Sequence, residues 1–241
     1  MAMILNIETS TEVCSVVLAL DGEVIGMRED LSGQNHAKLL TLFIEELLAG
    51  SNVTMGKIDA VAVAGGPGSY TGLRIGVSVA KGLCYASNLP LIAITSLEAM
   101  ANYVINNLKN FHPVESENIL FCPMIDARRM EVYTSFYDRS GNQIHGIQAD
   151  ILDHQSYLPF LEHNSVFFFG NGSQKFKNAI THPNAIFIDN IFTSAKNMVP
   201  LAERDFRLQK FADVAYYEPF YLKDFIATIP VKNIFKGIKD Y

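Results

Sequence analysis

One order of elements, three extended runs followed by alternating helices and strands, occurs twice along this sequence, and a chain with that order has few ways to fold. The first copy opens with Ile4–Thr9 and Val13–Leu20, rich in β-branched residues, and Asp21-Gly22 joins them to a third extended run, Glu23–Asp30. Asp-Gly is a strong two-residue hairpin signal, so these runs predict an antiparallel meander. Helical periodicity follows over His36–Ala49, a short apolar run over Ile58–Ala64, a helix over Gly72–Ser87, a strand over Leu91–Ile94 and a helix over Ser96–Leu108.

The stretch 106–118 is rich in amides and charges and contains Pro113, which marks a linker. The expected division is a first domain over 1–108, a linker over 109–118, a second domain over 119–227 and a basic tail over 228–241 that carries Lys232, Lys236 and Lys239. In the second copy Ile119–Asp126, Met130–Tyr137 and Gln143–Ala149 read as strands, with Ser140-Gly141-Asn142 as a turn. A helix near His154–Glu162, a strand Val166–Phe169, a helix Ser173–Ile180, a strand Ala185–Ile188 and a helix within Ser194–Leu208 complete it. Both copies read βββαβαβα. The economical α/β solution is a duplicated ribonuclease-H-like fold, two mixed sheets flanked by helices and facing each other across a cleft. Actin and the sugar kinases share this architecture and hold nucleotide phosphates on the first hairpin of each half, so the fold raises ATP binding as a question for the residues to answer.

Composition excludes several classes. Nineteen Lys and Arg against twenty-five Asp and Glu give a net charge of −6, opposite to the footprint of an autonomous nucleic-acid binder. Cys14, Cys84 and Cys122 are widely spaced in apolar surroundings, with no C-x-x-C pair, and read as reduced core residues rather than as disulfides or a zinc site. Met1–Leu20 carries Glu8 and Glu12 without a basic start or a cleavage site, and no apolar run approaches about 18 residues, so a cytoplasmic protein without membrane attachment is expected. His36, His112, His145, His154, His163 and His182 are scattered at spacings that fit no single-helix or hairpin ligand set. Ser69 is flanked at the two glycine positions of a nucleophile elbow by Pro67 and Thr71, so serine-hydrolase chemistry lacks its residues.

Candidate anion loops remain. Gly66, Gly68 and Ser69 follow a strand and open a helix, where backbone amides can cradle an anion; the same glycines and Pro67 equally serve a tight strand-to-helix turn. No Lys-Ser or Lys-Thr follows the last glycine, so the Walker pattern fails. Glu8, Thr9 and Ser10 lie at the first hairpin. Asp126, Arg128 and Arg129 form the second, without the glycine that lets backbone approach phosphate, and Gly170 and Gly172 partly restore that capacity. The expected outcome is no cofactor of its own and weak or partner-dependent contact with ATP or ADP.

The two helices after the meander carry more apolar surface than one sheet needs. Leu39, Leu40, Phe43, Ile44, Leu47 and Leu48 fill about half of the first helical wheel, and Leu42 extends the zone. In the second, Gly72, Gly76, Ala80 and Cys84 form a ridge of small residues at i, i+4, i+8 and i+12, with Arg74 and Lys81 as its charges. A mid-helix glycine costs roughly 1 kcal/mol relative to alanine, and close helix approach would compensate. The plain alternative is that both helices are buried by their own domain's sheet; an excess apolar face marks a partner site, so Leu39, Leu40, Phe43, Leu47, Gly72, Arg74, Gly76 and Ala80 are the expected interface.

Ile7-Glu8-Thr9-Ser10-Thr11, the run Gly65-Gly66-Pro67-Gly68-Ser69-Tyr70-Thr71-Gly72-Leu73-Arg74, the run Ile125–Tyr133 and Pro219-Phe220-Tyr221-Leu222-Lys223 together resemble the signature stretches of the TsaB (YeaZ-like) family, across most of the chain. The resemblance implies a part in making threonylcarbamoyladenosine at position 37 of tRNA, a heterodimer with the catalytic relative TsaD through the N-terminal helices, the ATP-binding TsaE as a further partner and self-association in isolation; the net charge of −6 adds the expectation that tRNA is contacted only indirectly or weakly. The family has also carried a glycoprotease-like, metallopeptidase-like label. TsaD resembles this N-terminal half but places two histidines four apart just after the strand that follows the Gly-Pro-Gly helix, where both imidazoles can meet one metal ion. Ser96 and Met100 stand at those positions here. A thioether and a neutral hydroxyl are poor ligands for hard or borderline metals, so no catalytic residues and no metal are expected. Two readings follow: a non-catalytic subunit that binds and organises TsaD, or a stand-alone enzyme, either a divergent metallopeptidase or an actin-like ATPase.

Overall fold

The computed structural model describes residues 1–33, 35–111 and 118–222. Residues 112–117 of the expected linker and the basic tail 228–241 lie outside the described residues. The first half holds β1 (Met3–Glu8), β2 (Cys14–Leu20), β3 (Glu23–Asp30), α1 (His36–Gly50), β4 (Ala60–Ala64), α2 (Tyr70–Ser87), β5 (Leu91–Ile94) and α3 (Ser96–Phe111). The second holds β6 (Ile119–Asp126), β7 (Glu131–Tyr137), β8 (Gln143–Ile151), α4 (Leu158–Leu161), β9 (Ser165–Phe169), α5 (Ser173–Lys177), β10 (Ala185–Ile188) and α6 (Ala195–Arg207).

Each half builds a five-stranded sheet, in the orders β3-β2-β1-β4-β5 and β8-β7-β6-β9-β10. The hairpin strands pair antiparallel and the two strands reached by crossover pair parallel. This identical topology is the duplicated ribonuclease-H-like fold. Asp21 and Gly22 both take positive φ (51° and 80°), as the two-residue turn between β2 and β3 requires. The interior strand β4, Ala-Val-Ala-Val-Ala, is buried on both faces because helices cover the sheet on both sides.

The covering helices are exchanged. On one face of the first sheet, Leu40, Ile44 and Leu47 of α1 and Val77 and Ala80 of α2 pack on Leu5, Ile7, Val61 and Val63. The opposite face is covered mainly by the last helix of the second half, with Met198, Leu201 and Ala202 of α6 against Ile4, Ala62 and Ile92. Conversely Leu97, Met100 and Val104 of α3 pack on Ile119, Phe121, Phe167 and Ile188 of the second sheet. The outer face of that sheet is filled by Phe136, Phe168 and Phe176 with Leu161.

Several boundaries depart from the sequence expectation, among them that of α5, expected to run to Ile180 and ending at Lys177. Helix α2 starts two residues early because Ser69 caps it, its Oγ accepting from Gly72 N at 3.3 Å. Helix α3 runs to Phe111, into the stretch expected to be linker. The helix expected near His154–Glu162 is only Leu158–Leu161. Asp153 draws the preceding residues into a turn instead, its Oδ1 accepting from Gln155 N (2.9 Å) and Ser156 Oγ (2.9 Å).

Candidate functional site

The two hairpins and the glycine loops meet at the mouth between the halves, where a nucleotide-binding relative of this fold would hold phosphates. Glu8 ends β1 fully buried, and its Oε1 accepts from Ser10 N at 2.6 Å. Its Oε2, the Ser10 hydroxyl and the Ser96 hydroxyl at the start of α3 have no hydrogen-bond partner. Burial raises the Glu8 pKa to about 6, with the Ser10 N–H bonded to its Oε1 tempering the rise. A carboxylic acid with a raised folded-state pKa stabilises the fold below its unfolded value, and that contribution is lost as pH rises through the folded value. From a pKa of 4.5 to about 6 the loss is about 2 kcal/mol. Urea midpoints should therefore show wild type losing about 2 kcal/mol between pH 4.5 and 7.5 relative to Glu8→Gln; parallel pH profiles would disprove it.

Several of the amides that could have cradled an anion are engaged within the protein. Ser69 N donates to Ser10 O (2.6 Å), Gly172 N to Met124 O (3.0 Å) and Ser173 N to Gly170 O (3.1 Å). Arg128 N donates to Asp126 Oδ1 at 2.6 Å. Gly66 takes φ +102°, which its strand-to-helix turn demands, and a side chain on Gly68 would strike Ser10 O. Gly170 and Gly172 likewise let their turn close on the backbone of Met124 and Ile125. The glycines thus serve close backbone packing in both halves. Arg128 and Arg129 form the tip of the second hairpin, both exposed and both at positive φ (69° and 50°).

Side chains bridge the mouth directly. Asn171 Nδ2 donates to Glu12 Oε2 (2.8 Å), and Asn171 Oδ1 accepts from Asp126 N (2.9 Å), which links the first hairpin to the second. Lys175 Nζ pairs with Asp126 Oδ1 at 2.6 Å. Deeper in, Thr11 and Thr193 share a buried hydroxyl contact of 2.6 Å, Ser194 Oγ donates to Glu29 Oε2 (2.6 Å) and Ala195 N donates to Ser15 Oγ (2.7 Å). Glu12, Asn171 and Lys175 were missed as site residues; the one signal for them was an amide standing between two glycines at a strand-to-helix turn.

At the positions of the relative's histidine pair, Ser96 and Met100 are 1% exposed, and Met100 is embedded among Leu97, Val104 and Phe121. Among the described residues no group of three or more His, Cys, Asp or Glu is placed to hold a metal ion. Cys14, Cys84 and Cys122 are buried and free, and burial pushes the thiols of Cys14 and Cys84 up to about 11. Among the described residues no helix is long and apolar enough to cross a membrane.

The expected partner face needs correction. Leu40 and Leu47 are buried in the first sheet's own core, and Leu39 and Phe43 are half-buried at its margin. The ridge of Gly72, Gly76 and Ala80 also turns inward. A side chain on Gly76 would collide with Thr9 Oγ1 and one on Gly72 with Thr9 O, while Thr9 Oγ1 donates to Gly72 O at 2.8 Å. The close approach that those small residues permit is to the chain's own first hairpin. A different stripe of α2 faces outward: Thr71, Arg74, Ser78, Gly82 and Tyr85, the last 87% exposed. Gly82 has open space where a Cβ would be, and Leu42 of α1 is 43% exposed.

These features define a class: a duplicated ribonuclease-H-like α/β protein whose inter-domain mouth is bridged by its own side chains. A family model described as TsaD: tRNA N6-adenosine threonylcarbamoyltransferase matches residues 23–231. The chain is 31% identical over 232 residues to the tRNA threonylcarbamoyladenosine biosynthesis protein TsaB of Haemophilus influenzae, covering 92% of this chain and 93% of that protein. It is 31% identical over 234 residues to TsaB of Escherichia coli, covering 93% and 96%. The solved structure of YeaZ from Pseudomonas aeruginosa matches with a TM-score of 0.76 at 25% identity, covering 92% of this chain and all of that one (100%). The chain belongs to the TsaB family of tRNA threonylcarbamoyladenosine biosynthesis.

Proposed function

We propose that this chain is a non-catalytic subunit that binds and organises TsaD, with TsaE as a further partner, for threonylcarbamoylation of adenosine 37 in tRNA in the cytoplasm. The observation that carries the reading is the replacement of a histidine pair by buried Ser96 and Met100, the latter inside an apolar core. A thioether among hydrocarbon side chains supplies no ligand for the metal that transfer chemistry uses. The engaged loop amides and the Glu12–Asn171–Asp126 bridge support a second element: the free chain takes ATP or ADP weakly at most. The outward faces of α1 and α2 supply the TsaD contact, and in isolation they also serve a homodimer. With a net charge of −6, tRNA is held by the partners rather than by this chain.

The purified chain should carry no stoichiometric iron or zinc, give no tight one-to-one ATP isotherm and turn ATP over at background rate. Mixed with TsaD from the same genome, it should elute as a heterodimer. Tight ATP binding with turnover, or one metal per chain, would instead establish the stand-alone enzyme.

A further inference from the structure

After α6 the chain returns to the first half as a strap. Ala212 N donates to Leu91 O (2.8 Å) at the free edge of β5, and Phe220 N donates to Gly65 O (2.8 Å). Lys81 of α2 fastens the strap from below, its Nζ donating to Ala215 O (3.1 Å) and Tyr217 O (3.0 Å). The strap thereby delivers Tyr221 to the first turns of α2. There the rings of Tyr70 and Tyr221 lie 4.9 Å apart between centroids. The Arg74 guanidinium carbon sits 4.0 Å from the Tyr70 centroid and 5.9 Å from that of Tyr221, and Arg74 Nε donates to Tyr221 Oη at 3.3 Å.

Arg74 is exposed, and among the described residues no carboxylate lies within ion-pairing distance of it; Glu218 acts on it only at longer range. Its Nε is engaged by Tyr221, and among the described residues no hydrogen bond is made by the two terminal nitrogens of the fork. An aromatic pair that holds a guanidinium in one plane removes much of the entropy cost of docking a planar anion on it. A polyanion would need several such cations. The other cation of α2, Lys81, is committed to strap carbonyls, and the chain as a whole is acidic.

We propose that Arg74, framed by Tyr70 and Tyr221, is the receptor for a single carboxylate side chain of a protein partner that docks on the outward stripe of α2. The proposal rests on the TsaD-binding reading and adds its recognition chemistry: a bidentate guanidinium–carboxylate pair at the α2 N-terminus, presented jointly by that helix and the strap.

The test measures binding of the full chain and its variants to TsaD by calorimetry, with thermal melts as a folding control. Arg74→Glu should weaken the complex about tenfold or more and Arg74→Lys less, because lysine keeps the charge without the fork. One Asp→Arg or Glu→Arg reversal in TsaD should restore the affinity of Arg74→Glu. Should Arg74→Glu fail to fold, Arg74→Gln carries the same test against a carboxylate-to-amide change in TsaD. Undiminished affinity in a folded variant overturns the receptor while leaving the TsaD reading intact; no complex with the wild-type chain overturns the reading itself. Loss that no reversal rescues shows that Arg74 only anchors the strap. Loss of binding to purified tRNA with TsaD binding unchanged assigns the fork to phosphate, and both results defeat the proposal.

Discussion

Leaving this chain out of a mixture of TsaD, TsaE and the threonylcarbamoyl-adenylate-forming enzyme is expected to abolish modified adenosine in tRNA. The expectation follows from the division of labour proposed above, in which Ser96 and Met100 at the histidine-pair positions leave the chemistry to TsaD and the effect of this chain runs through assembly. Variants separate the two roles. Glu8→Gln keeps an acceptor for Ser10 N and removes the buried acid, and Arg128→Ala with Arg129→Ala removes both exposed guanidinium groups from the second hairpin. Each should support modification in proportion to the complex it forms, measured as nucleoside yield against heterodimer on size exclusion. Full modification without the chain, or complete loss in a variant that assembles normally, would refute the organising role.

Gly76→Leu is expected to damage the free protein itself. The new side chain has to occupy the place of Thr9 Oγ1, whose hydroxyl is tied to Gly72 O at 2.8 Å, so relief requires moving the first hairpin away from α2. Overpacking of this kind costs about 3 kcal/mol. For a chain of this size that lowers the thermal midpoint by roughly 6–12 °C. The contrast is Gly82→Ala six residues on, where a Cβ meets open space. It should raise stability by about 0.5–1 kcal/mol, since alanine is the better helix former. Equal melting of Gly76→Leu and wild type would show that the ridge does not pack on Thr9.

Both outcomes separate what could be read from residue order and what could not. The strand and helix pattern was legible because a meander closed by Asp21-Gly22 and alternating apolar runs leave a single topology for each half, and both sheets have the same order. The absence of a histidine pair at 96 and 100 was likewise plain, since it depends on which side chain stands at a position and on nothing else. At Gly66, Gly68, Gly170 and Gly172 glycine marks a close backbone approach, and the backbone that approaches is the chain's own.

A periodic face, in contrast, says that something packs there without saying what. The ridge from Gly72 to Ala80 and the leucines of α1 were legible as contact surfaces, but their partners are Thr9 and the first sheet, because a helical wheel has no reference direction until the sheet beneath it is placed. The Asn171 bridge to Glu12 and the delivery of Tyr221 to Arg74 join residues 159 and 147 positions apart, and the exchange of α3 and α6 places each helix against the sheet of the opposite half. Local propensity acts over a few residues, so the sequence by itself determined the elements, their order and the missing ligands; only the tertiary structure decided which faces are spent on the protein's own core and which remain for a partner.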